Sequence, residues 1–288
     1  MIRDDTVTRR ESEMNVEVIH ERWQTLDPIF IRGAQRSGTS ILSLALASLG
    51  INSFGEGHLW DEVLLPFETL SDVSYLPDYR HESYTLGSEG LSSLRKYIAV
   101  AIDDFHRHLL DSGARRWADK SPGAVAVQRA NSVAESFPKC QFLFVYRNPI
   151  ATVHSGIHYW PDQPNIFETM CQVWTETMSA WRAARDTLAG RFLEISQENI
   201  ASDPEKIAAE MAAFLDLPFP EIAAPQIAEV FQTSRHVSSF IGKSPADCRY
   251  EIDWTSDQRK QFVDLCGYEM ECWGFDIDFD APGPPKIT

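Results

Sequence analysis

Four segments of this 288-residue chain combine cations, hydroxyls and glycines at spacings suited to holding an anion. The first is GAQRSGTS at residues 33–40: Gly33 and Gly38 bracket Ala34, Gln35, Arg36 and Ser37, and Thr39 and Ser40 follow. It lies between a short apolar run and a strongly apolar segment, so it reads as the loop between a strand and a helix. Loop N–H groups and a helix N-terminus then converge on one anionic group. The glycines have the G-x-x-x-x-G spacing of a nucleotide-binding P-loop, but Thr39 stands where such a loop carries lysine. The anion cradle is kept, the cation that reaches the outer phosphates of ATP or GTP is missing, and Arg36 is the positive charge that remains. The second segment, ADKSP at 118–122, offers Lys120. In the third, VYRNPIATVHSG at 145–156, Arg147 closes a strand and Ser155 follows eight residues later in the next helix. A guanidinium and a hydroxyl so placed can share one phosphate from two sides. The fourth is a polar loop at 234–249 with Ser238, Ser239, Gly242, Lys243 and Arg249.

The elements that must position these residues alternate between strand and helix. Residues 28–33 form an apolar first strand, and 39–49 a helix apolar on nearly every side, as expected of one buried against a sheet. Periodicity predicts helices over 91–110, 123–135, 167–188, 204–215 and 256–273, with a shorter one around 16–23. Strands are expected at 115–120, 141–147 and 191–196. The second of these, QFLFVYR, is the clearest, continuous and aromatic as in a parallel sheet covered on both faces. The stripe Phe167, Met170, Cys171, Trp174, Met178, Trp181 has helical spacing and reads as core. This pattern implies an α/β fold, a three-layer P-loop-like arrangement with a central, mostly parallel sheet flanked by helices. Its ligand edge is where strand ends meet loops, and the candidate segments lie there. One domain over 28–280 is expected, after an arm at 1–27 and before a flexible tail at 281–288. Residues 54–90 hold eight acids against one arginine, together with several aromatics, and read as a lid or acceptor-binding insertion.

Composition narrows the partners. A formal charge of −16 argues against nucleic acid and against an anionic membrane surface, so any anionic ligand is held locally. No apolar run reaches the roughly 18 residues that span a bilayer, and the N-terminus lacks the apolar core of a signal peptide. The five scattered cysteines form no C-x-x-C pair, which fits a reducing cytoplasm better than a disulfide framework or a zinc site. His154 and His158 are one helical turn apart without H-E-x-x-H or a third ligand, so no metal is expected. No segment specifies an oligomeric state.

Taken together, GAQRSGTS, ADKSP and YRNPIATVHSG in this order resemble the PAPS-dependent sulfotransferase family, in the branch with glycan and tyrosylprotein sulfotransferases and bacterial relatives. The similarity runs more weakly through SQENIASDPEKIAAEMAAFLDLPFP to the final helix, and covers roughly residues 28–275. The resemblance implies transfer of a sulfuryl group from PAPS to an acceptor hydroxyl or amine. Gly33, Gln35, Arg36, Ser37, Gly38, Thr39 and Ser40 match the loop for the 5′-phosphosulfate, and Arg147 with Ser155 match the 3′-phosphate segment. Lys243, with Ser238, would close over the cofactor from the terminal loop. Lys120 matches a lysine that relatives bring to the reacting centre, and Arg36 is given an electrostatic role because arginine does not act as a general acid. For the base, FGEGH offers Glu56 and His58. Tyrosylprotein-type relatives place a glutamate there, although the second acid of their pair is Gly57 in this chain, and cytosolic branches use a histidine. Glu56 is preferred, with His58 the second choice. The acceptor expected is a small molecule, neutral or cationic, because the acids of 54–90 repel polyanions. The competing readings are a P-loop kinase or NTPase, disfavoured by Thr39, and a non-catalytic adenylate-binding relative.

Overall fold

The computed structural model describes residues 17–54, 56, 87–109, 116–233 and 252–279. His58, Ser238, Lys243, most of the 54–90 insertion, most of the N-terminal arm and the tail lie outside the described residues. After a helical turn at residues 17–23 (α1), five parallel strands form one sheet: β1 (Ile29–Gly33), β2 (Ser53–Phe54), β3 (Ala118–Lys120), β4 (Gln141–Tyr146) and β5 (Phe192–Ser196). Their order is β2-β3-β1-β4-β5. Because every pairing is parallel, all strands end at the same edge. The register sets Ile31 beside Lys120, Gly33 beside Val145, and Tyr146 beside Ser196. The loops carrying residues 33–40, 121–123 and 147–148 therefore open side by side.

Period-two alternation in β1 and β4 divides the core between the two faces. Phe30, Phe142 and Phe144 point to one face, and Ile29, Ile31, Leu143 and Val145 to the other. On the aromatic face lie α3 (Gly87–Leu109), α4 (Ala124–Gln128), α5 (Ala130–Ser136), α6 (Pro149–Tyr159), α7 (Ile166–Ala184) and, after β5, α11 (Ser256–Cys272). Trp174 and Trp181 of α7 are fully buried there, and Trp181 stacks on Phe144 with ring centroids 4.3 Å apart. Large rings of this kind bury the most apolar area per residue, so α7 is the main weight on that face. The aliphatic face is covered by α2 (Thr39–Ser48), α8 (Gln197–Ser202), α9 (Pro204–Phe214) and α10 (Pro220–Thr233).

The stripe of α7 is core, as its spacing predicts. Several elements differ from expectation. Helix α2 is not covered all round, since Leu44 is 42% exposed. The helix expected over 123–135 breaks at Arg129 into α4 and α5, and the end of 167–188 tightens into a 3₁₀ turn at Arg185–Leu188. β2 consists of two residues paired to Ala118 and Asp119, a product of tertiary pairing rather than of local pattern. Helix α8 is too short for periodicity to show and is set by Ser196, whose side chain accepts from Asn199 N–H. Helix α10 is masked in the sequence by Pro225 inside it, which removes one backbone donor, and is held by burial of Ala223, Ile227, Ala228 and Phe231.

Candidate functional site

The loop between β1 and α2 is shaped by backbone positions that few residues tolerate. Arg36 is left-handed at φ 67°, and Gly38, at φ 111°, forms the N-cap of α2 without a capping side chain. Ser37 is buried, with its hydroxyl 2.5 Å from the Ala34 carbonyl and 3.1 Å from that of Val145, and its N–H donating to Ala34. Ser37 and Gly33, both expected among the ligand-binding residues, thus fasten the loop to β4. Gln35, Arg36, Gly38, Thr39 and Ser40 instead line a cavity of about 360 Å³ at the C-terminal edge of the sheet.

The same cavity is lined by residues at the ends of the other four strands: Glu56 after β2, Pro122 after β3, Arg147 after β4 and Gln197 after β5. Arg147, following β4, is 5% exposed, and its Nη1 donates to the Arg36 carbonyl at 3.2 Å. Its own carbonyl accepts from Trp174 Nε1 at 3.1 Å. Asn148 then caps α6 by accepting from Ile150 N–H, with Pro149 in the first turn, and this start places Ser155 on the cavity wall. Ser155 Oγ accepts from Arg36 Nε at 3.3 Å, while the Arg36 guanidinium lies 4.1 Å above the centre of the Tyr159 ring. The charge of Arg36 therefore sits on the Ser155 side of the cavity. At the end of β3, Lys120 Nζ donates to Glu56 Oε1 at 3.2 Å and reaches Ser40 Oγ at 3.5 Å. Lys120 is buried and Glu56, which lines the cavity, is about half exposed.

Sequence reasoning did not reach Tyr159, Trp160 and Gln197, which also line the cavity, or Glu198 and the buried pair Arg32–Asp119 beside it. For Gln197 and Glu198 the available signal was their position directly after a strand. Glu198 accepts from Asn148 N–H at 2.8 Å and from Ser196 Oγ at 2.7 Å, and so ties β5 to the turn after β4. Burial pushes its carboxyl pKa up, against the pull of Asn148, Ser196 and the nearby Arg147. A raised folded-state pKa contributes stability below the ordinary carboxylate range and loses it as pH rises through the folded value. Glu198→Gln is accordingly expected to gain melting temperature relative to the parent as pH increases from 4 to 8. A gap constant across that range in thermal scans would contradict this.

His154 has its pKa lowered, first by burial and then by His158, whose ring centroid is 4.3 Å away. Among the described residues no cluster of three or more His, Cys, Asp or Glu side chains is arranged to hold a metal ion.

A parallel sheet with a glycine-bounded loop between its central strand and the helix that follows defines a P-loop-like α/β protein. Residues 28–221 match the model of the sulfotransferase family, and the chain belongs to that family. It is 24% identical over 248 residues to a protein-tyrosine sulfotransferase of Drosophila melanogaster, a match covering 82% of this chain and 45% of that protein. The chain thus spans less than half the length of that relative. Among solved structures it shares its fold with the sulfotransferase domain of the Synechococcus PCC 7002 olefin synthase, at TM-score 0.54 and 21% identity over 88% of this chain and 96% of that one. Sulfotransferase STF9 of Mycobacterium avium is also similar, at TM-score 0.53 and 13% identity, covering 91% of this chain and 82% of that one.

Proposed function

We propose that this chain moves a sulfuryl group from PAPS to a hydroxyl or amine of a small-molecule acceptor by in-line displacement. The observation that carries this reading is that the 33–40 loop, Arg147, Ser155 and Glu56 line one cavity, with Lys120 donating to Glu56. The donor set suits PAPS: cations and hydroxyls at two separate subsites, with Glu56 as the carboxylate on the wall. The cradle is also narrow, because a Cβ on Gly38 would lie 3.3 Å from Gln197 Cγ. PAPS, when bound, supplies an activated sulfuryl group and leaves as PAP.

Each residue has a defined task. The loop N–H groups, Thr39 and Ser40 donate to the 5′-phosphosulfate side, where donors already in place need no reorganisation as charge develops. Arg147 and Ser155 hold the 3′-phosphate side, and Arg36, whose Nε donates to Ser155, keeps its electrostatic role toward the leaving phosphate. Lys120 Nζ donates to Glu56, and a Glu56 oxygen takes the proton from the acceptor. His58 is the competing base, and Ser238 with Lys243 would complete the cofactor site. The four described cysteines are unpaired, which fits a cytoplasmic setting.

Calorimetric titration with PAP, AMP and ATP tests this. PAP is expected to bind tightly and the other two weakly, since Thr39 stands where an NTP site carries lysine. Arg147→Ala is expected to weaken PAP by about 10–100-fold and AMP hardly at all, as loss of a hydrogen bond to a charged group predicts. Equal affinity of the parent for PAP and AMP would remove the 3′-phosphate assignment, and preference for ATP would favour a kinase.

A further inference from the structure

Strand β1 is apolar except for Arg32, which is fully buried. A guanidinium taken out of water needs a partner, and the partner is Asp119 of β3, with Nη1 2.7 Å from Oδ2. Nη1 also lies 3.1 Å from the Ile31 carbonyl and 3.3 Å from that of Asp119. From the other side, Ser121 Oγ donates to the same Oδ2 at 3.1 Å. The Asp119 side chain is therefore fixed both by the neighbouring strand and by the residue two positions along its own chain.

Lys120 lies between these two anchored residues. Successive side chains of a strand leave on opposite faces. With Asp119 held on the face of Arg32, Lys120 is directed to the face where α2 begins and where Ser40 and Glu56 stand. β3 has three residues and its outer neighbour β2 only two, so few ladder bonds hold the register. A slip of one residue would exchange the faces of Asp119 and Lys120. Stability alone does not call for this pair. Apolar side chains of similar size serve a core as well, and Arg32 Nε is buried without a hydrogen-bond partner among the described residues.

We propose that Arg32, Asp119 and Ser121 are positioning residues that aim Lys120 Nζ at the reacting centre. The chemistry rests on the sulfotransferase reading, whereas the geometry can be read without it. The test uses the full chain carrying Arg32→Met and Asp119→Leu together, which replaces the pair by apolar groups. Carbodiimide cross-linking reports on Lys120 directly, because its Nζ and the Glu56 carboxylate are close enough to condense to an amide. The surface pair Lys206–Glu210, at 4.0 Å, is the internal control. The double variant is expected to lose most of the Lys120–Glu56 cross-link, keep that of Lys206–Glu210 and keep PAP affinity, while kcat falls about 10²-fold with little change in KM for PAPS. Cross-link yield and kcat equal to the parent's would overturn the proposal. Should the double variant fail to fold, Ser121→Ala decides by the same two readouts: a fall in both supports it, and no change in either overturns it. A parent that binds no PAP would remove the sulfotransferase reading, and the cross-link yield would then decide the positioning role without it.

Discussion

Lys120→Ala is expected to lower kcat by about 10²–10³-fold while leaving PAP affinity within about threefold of the parent. The size follows from where the ammonium sits. It is buried at the end of β3, 3.2 Å from a Glu56 oxygen and 3.5 Å from the Ser40 hydroxyl, at the point where the loop cradle meets the candidate base. A donor fixed there acts on charge that appears only as the sulfuryl group leaves, so its loss falls on the transition state rather than on binding. PAP affinity should be spared because the proposed function rests the 3′-phosphate on Arg147 and Ser155, neither of which touches Lys120 in the hydrogen bonds of the described residues. Folding should change little as well, since Glu56 is half exposed and hydrates once its partner is gone. Single-turnover rates with labelled PAPS, set beside calorimetry with PAP, separate the two effects. If PAP affinity falls as far as kcat/KM, Lys120 is a binding residue and the transfer step has another donor.

What the sequence made legible here was set locally. The loop at 33–40 could be read because positive φ and close backbone approach restrict the residue types that fit, and Gly33 and Gly38 carry that restriction in their identity. Arg147 and Ser155 could be read because Asn148 and Pro149 mark a helix start, and so fix how far along the next helix Ser155 lies. Lys120 and Glu56 could each be singled out, yet the geometry of their contact depends on Arg32 and Asp119. That pair is 87 positions apart and is visible only once the register of β1 on β3 is known. An arginine inside an apolar strand was the one local hint, because such a charge requires a buried partner. Tyr159 escaped for a similar reason. Its ring matters through the Arg36 guanidinium above it, and the link between them is the packing of α6 beside the loop.

Gly33→Ala is expected to destabilise the fold by about 4 kcal/mol, the sum of a strained backbone and an overpacked contact. Gly33 has φ 152°, and a Cβ built on it would lie 2.2 Å from the Val145 carbonyl oxygen and 3.0 Å from Ser37 Oγ. The first of these atoms is backbone of β4, paired in register with Gly33 itself, so it cannot move aside without opening the β1–β4 ladder at the centre of the sheet. Gly190→Ala is the informative comparison. Gly190 is also left-handed, at φ 78°, but nothing stands within 4 Å of its added Cβ, so only the conformational cost of about 1–2 kcal/mol remains. Thermal unfolding of the two variants should therefore differ several-fold in the drop in Tm, and equal drops would mean that β4 yields at Val145. The same substitution reaches the site chemistry. Ser37 bridges the carbonyls of Ala34 and Val145 at the spot the new methyl would occupy, so any Gly33→Ala molecules that do fold should hold the loop displaced and bind PAP more weakly, whereas Gly190→Ala should bind it as the parent does.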